Sequence, residues 1–79
     1  GPEASPPDAG SPSIESMTAF EREEAAKDEV RDARARLSAG DLDGAEAALR
    51  RARHLDPGNA DIAPLLERVR EARGGPAVP

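Results

Sequence analysis

The chain has no cysteine, tryptophan or tyrosine, and only one phenylalanine, one methionine and one histidine among its 79 residues. Without cysteine there is no disulfide to staple a small fold, no thiolate nucleophile and no zinc site with sulfur ligands. With Phe20 as the only aromatic there is no platform on which nucleic-acid bases could stack, and the negative net charge also disfavours a nucleic-acid partner. No apolar run approaches the roughly 18 residues of a membrane span, and no basic-then-apolar segment resembles a signal peptide. A membrane role is not expected, and the cytoplasm is the expected location. There is no glycine-rich phosphate loop: Gly74-Gly75 follows a predicted helix end, where the dipole disfavours anions.

What is present is charge and helix-forming residues. Charged residues make up 34% and hydrophobic residues 37%, with a net charge of −5. That balance lies between a small charged helical domain and a disordered chain, and the length allows one domain. Residues 1–13, GPEASPPDAGSPS, are built from Pro, Gly, Ser, Ala and two acids, so a disordered linker is predicted. Gly1-Pro2 reads as the scar of a tag-removing protease, which would make the chain a piece of a longer protein. A helical domain is predicted over 14–73 and a disordered tail over 74–79.

Three helical patterns fill the domain. From Ser13 to Ala39 there is neither Gly nor Pro, and Thr18-Ala19-Phe20-Glu21 fits a capping box, so the first helix is predicted from Ala19 to Ser38. Its stripe reads Phe20, Lys27 through its aliphatic stem, Val30, Ala33 and Leu37. Glu23–Lys27 and Asp32–Arg36 stand four apart in the favourable order, and Gly40 ends the helix as a left-handed cap. Asp43-Gly44-Ala45-Glu46 reads as a second box with Asp43 as cap and Leu42 as preceding staple, starting a helix over about 44–55. Asp56-Pro57-Gly58-Asn59 is turn chemistry that stops it. The third helix carries Ile62, Leu65, Leu66, Val69 and Ala72, with Asp61 as cap and Pro64 in the first turn. Both connections are short, so neighbouring helices run antiparallel.

This spacing resembles the tetratricopeptide repeat, a helix–turn–helix unit of about 34 residues with helices A and B. With Pro57 at the closing proline, Ala33 falls on the small position of helix A, and Gly40-Asp41-Leu42-Asp43 on the turn. Ala45, Leu49 and Ala52 fall on the small, large and small packing positions of helix B, and Leu55-Asp56-Pro57 on the exit. The resemblance covers about 28–73 and implies an all-α fold of one full repeat plus a capping helix. Asp32 and Arg36 depart from it, standing where the family usually has Leu and Tyr. A single repeat buries little, so a partner, a second copy or the N-terminal extension is expected to complete it.

No catalytic constellation is apparent, and the chain is not expected to be an enzyme. His54, near the end of the second helix, reads as a surface group favoured by the helix dipole. Asp41-x-Asp43-Gly44 lacks the later ligands of a calcium loop, so no metal or other cofactor is expected. The acids Glu21, Glu23, Glu24, Asp28 and Glu29 read as a solvated helix start, and Arg50, Arg51, Arg53 and His54 as a solvated basic face.

The resemblance implies partner binding along the face of helix A, at Lys27, Val30, Arg34, Leu37 and Ser38, and at Arg68 of the capping helix. Val30 and Leu37 would form an uncovered apolar strip edged by the cations, suited to an acidic or amphipathic protein segment or peptide. Residues 1–32 carry net −6 and residues 33–79 net +1, so the acidic front could instead fold back, with Ile14, Met17 and Phe20 as anchors or as core. The expected function is a non-enzymatic adaptor or docking module. Self-association, for example as a homodimer, and a regulatory appendage of a larger enzyme are the alternatives. The Ala- and Arg-rich composition is of the kind found in high-GC bacterial genomes.

Overall fold

The structure, a computed structural model, describes residues 14–74. The predicted linker 1–13 and the tail from Gly75 lie outside the described residues. A 3-10 turn at Ile14–Ser16 leads into α1 (Ala19–Ser38), α2 (Leu42–Leu55) and α3 (Ile62–Ala72), with no strand among the described residues. The all-α class is as the sequence implies.

The start of α1 is the predicted capping box. Glu21 N–H donates to the Thr18 hydroxyl at 3.0 Å, and Thr18 N–H donates to the Glu21 carboxylate at 2.8 Å. Its end is a Schellman turn around Gly40 at φ 84°. There Asp41 N–H reaches the Arg36 carbonyl at 2.8 Å, and Gly40 N–H reaches that of Leu37 at 3.1 Å. That turn is short enough to fold α2 back antiparallel on α1.

The cap of α2 differs from expectation. It is Asp41, whose carboxylate accepts Gly44 N–H at 3.0 Å, while Leu42 is the first helical residue and packs half-buried on the core. Once the Schellman turn has used Gly40, the next residue already holds the capping position. Asp41 is fixed there by Arg36, whose Nη1 donates to it at 2.8 Å. Asp43, predicted as the cap, instead accepts from Arg73 at 2.8 Å.

At the far end of α2, Asn59 N–H closes a turn on the Asp56 carbonyl at 3.0 Å. Asp61 occupies the N-cap position of α3 but makes no side-chain cap bond. Its backbone is αR (φ −83°, ψ −15°) where a capping residue is normally extended, and Pro64 at the third helical position has no N–H to offer the carboxylate.

Ten side chains form the core, and five of them are alanine: Ala26, Ala33, Ala45, Ala48 and Ala52. Leu49 is the largest fully buried one, with Val30, Ile62, Leu65 and Val69 around it. Alanines at the α1–α2 seam let the two backbones approach closely, and this hairpin is the main packing unit. α3 packs chiefly on α2 and touches α1 lightly.

On α1 the buried stripe is Ala26, Val30 and Ala33, flanked by half-buried Leu37. At 100° per residue these four lie within about 60° of one another. Phe20 falls outside that arc and is 68% exposed, and Lys27 is exposed too, so neither belongs to the buried stripe although both were predicted for it. As anchors of a folded-back front, Phe20 is free and Met17 only half-buried, while the side chain of Ile14 lies outside the described residues.

Candidate functional site

Of the residues predicted for a helix-A face, the structure brings together Lys27, Arg34 and Ser38, which share the outer edge of α1, all exposed. Lys27 Nζ lies 3.2 Å from Glu24 and not on Glu23, and that hydrogen bond raises its pKa. Arg34 lies 3.8 Å from Asp61, close enough for attraction but not a hydrogen bond. Val30 is a correction: it is 2% exposed, a core residue, and so contributes nothing to an apolar strip on the surface. Leu37 is half-buried against the same core. Arg68 is exposed on α3, with no ion-pair partner among the described residues. The apolar strip edged by cations is therefore not formed on α1. The large apolar side chain its outer edge does carry is Phe20, with Glu23 and Glu24 three and four residues on and exposed beside it.

The seam between α1 and α2 is covered by charge. Arg51 donates to Glu29 at 3.1 Å and approaches Asp32 at 3.9 Å, while Arg36 donates to Asp32 at 2.9 Å. The hydrogen bonds to Asp32 and then Asp41 raise the Arg36 pKa. Asp41 is held below the usual carboxylate range, first by the Gly44 N–H and then by Arg36. The predicted Asp32–Arg36 pair is present, and each member is joined to a second helix or to its cap.

The seam between α2 and α3 is different. Two adjoining clefts of about 300 and 310 Å³ run along it and share Arg53, Leu66 and Arg70. The helices build this groove by periodicity. Glu46, Arg50 and Arg53 recur on α2 at i, i+4 and i+7, and Leu66, Arg70 and Arg73 on α3 at the same spacing. Leu66 is half-buried at the middle, with Ile62 at one end and Val69 at the other.

Around this apolar floor stand four arginines. Arg50 is tied to Glu46 at 2.7 Å and Arg70 to Glu67 at 2.9 Å. Arg73 bridges Asp43 at 2.8 Å and Glu46 at 2.9 Å, and the bond to Asp43 raises its pKa. Arg53 has no ion-pair partner among the described residues. The groove lining thus keeps a positive surplus over Glu46 and Glu67.

Sequence reasoning treated the α2 arginines as a solvated face. The signal that could have found the groove is the matched spacing of Arg50-Arg53 with Leu66-Arg70-Arg73. A third cleft, about 430 Å³ beside Arg51, His54 and Leu55, is walled by the Arg51–Glu29 pair. Among the described residues no group of three or more His, Cys, Asp or Glu side chains could hold a metal ion. None of their helices is long and apolar enough to cross a membrane. Comparison with known proteins returned no match: no family model, no curated protein and no solved structure aligns with the chain.

Proposed function

We propose that this chain is a non-catalytic docking module of tetratricopeptide-like design, which receives an acidic amphipathic helix in the groove between α2 and α3. The observation that carries the reading is the apolar floor at Leu66 set between arginine rims, with Arg53 unpaired among the described residues. A helix laid there would cover Leu66 with its apolar face and present carboxylates to Arg53 and Arg70, which suits charge-assisted hydrogen bonds.

The repeat resemblance is supported by burial at its small and large positions: Ala33, Ala45, Leu49 and Ala52 are all in the core. The two departures, Asp32 and Arg36, give the α1–α2 seam an ion-paired covering. An added helix would gain less apolar contact there than along α2–α3. The groove is favoured over the expected strip on α1 because Val30, which would have formed that strip, is buried in the core.

Amide chemical-shift titration of the labelled chain with a synthetic acidic amphipathic peptide tests this. The expected shifts centre on Arg53, Leu66, Val69 and Arg70, and Arg53→Glu with Arg70→Glu weakens binding by at least about tenfold without loss of helicity. Shifts confined to Lys27, Arg34, Ser38 and Arg68 would move the site to α1, and no shift at all would remove the docking reading.

A further inference from the structure

Phe20 is the one large apolar side chain standing exposed among the described residues. It sits in the first turn of α1 on an edge it shares with Glu23 and Glu24, three and four residues on. Neither glutamate is held in place by a second helix: Glu24 pairs only with Lys27 one turn away, and Glu23 makes no ion pair among the described residues. The knob is thus an aromatic ring flanked by carboxylates. The groove between α2 and α3 is its chemical inverse, a half-buried leucine flanked by arginines.

From this complementarity we infer that the occupant of the groove is a second copy of this chain, docked through the start of its α1. This rests on the groove reading above and names the partner. The ring of Phe20 covers Leu66 of the neighbouring copy between Arg53 and Arg70. There the guanidinium groups meet both the ring face and the carboxylates of Glu23 and Glu24. The first contact uses the knob of one copy and the groove of the other, which leaves the pair with one free knob and one free groove. Those either add further copies head to tail or meet each other and close the pair about a two-fold axis. The rim charges make it dependent on salt, since exposed charges are screened beyond about 8 Å at physiological ionic strength.

The test uses the full 79-residue chain in sedimentation velocity over a concentration series at low salt. The expected result is a mean mass that rises with concentration, to the dimer where the pair closes or past it where chains stay open, and falls back when salt is added. Phe20→Ala destroys the knob and leaves the groove, and Arg53→Glu with Arg70→Glu destroys the groove and leaves the knob. Each variant is expected to be monomeric alone, with self-association weakened by at least about tenfold. Mixed, they retain one good knob and one good groove and are expected to form a 1:1 heterodimer that grows no further.

A wild-type chain that stays monomeric at millimolar concentration overturns the inference, as does a mixture that stays monomeric or variants that self-associate as the wild type does. If the monomeric chain still takes the synthetic acidic peptide at Leu66, the second copy is excluded and the groove reading stands. If it takes neither, both fall.

Discussion

Gly44 lacks a side chain where one would collide with the cap that starts α2. A Cβ there would run into the Asp41 carboxylate and come within 2.7 Å of Arg36 Nη1. Alanine forms helix better than glycine by about 1 kcal/mol, yet it would push Asp41 off both its donors. Gly44→Ala is therefore expected to lower the thermal midpoint, and a raised midpoint would show the latch to be dispensable. Asp41 also sets an acid limit. A carboxyl whose folded pKa is depressed contributes stability that is fully present above its unfolded pKa and is lost as pH falls through the folded value. The expected loss thus begins below about pH 4 and grows on further acidification. Asp41→Asn keeps a capping oxygen but cannot titrate. Urea midpoints measured against pH should fall less steeply for that variant than for the wild type.

At the scale of the element, α1 shows what can and cannot be read from spacing. Its ends were legible because Thr18-x-x-Glu21 and Gly40 are local chemistry acting within one turn. Its rotation was not, because the stripe begins on Ala26, a residue whose side chain gives little hydrophobic signal and whose burial depends on the helix packed across the seam. Phe20, the largest apolar residue, pulled the expected stripe off the core by its size alone. The same applies to α3, where Asp61 looks like a cap until the missing N–H of Pro64 is considered. The groove was illegible for a different reason: it needs two helices in register, and neither shows it alone.

The corrected rotation changes what substitutions do. Val30→Glu would place a carboxylate in the core and is expected to unfold the chain, visible as loss of the helical circular-dichroism signal. A binding test on that variant would report stability only. Phe20→Ala is expected to leave stability within about 0.5 kcal/mol, because the ring touches little of its own chain. Thr18→Ala removes one half of the capping box and is expected to cost about 1 kcal/mol, read as a lowered denaturant midpoint with an unchanged slope.

For the molecule as a whole, the core is small and half of it is alanine, so little apolar area is removed from water. Small domains of this size are correspondingly marginal. The many ion pairs do not compensate, since their members are mostly exposed and pairs of that kind contribute about 0–1 kcal/mol each. Leu49→Ala, which removes the largest fully buried side chain, is expected to cost about 2–5 kcal/mol. In so small a core that loss is enough to leave much of the chain unfolded at room temperature.

The same marginality ties stability to association. Anything that binds the folded chain and not the unfolded one raises the melting temperature by mass action. If copies dock knob to groove, the wild-type midpoint should climb with chain concentration, and added salt should flatten that climb. Phe20→Ala should show a midpoint that ignores concentration while matching the wild type at high dilution. A concentration-dependent midpoint in Phe20→Ala would mean that the copies meet through some other surface. Equal and constant midpoints in both would mean that they do not meet at all, and that the Ala-rich hairpin with its third helix is stable as a single chain.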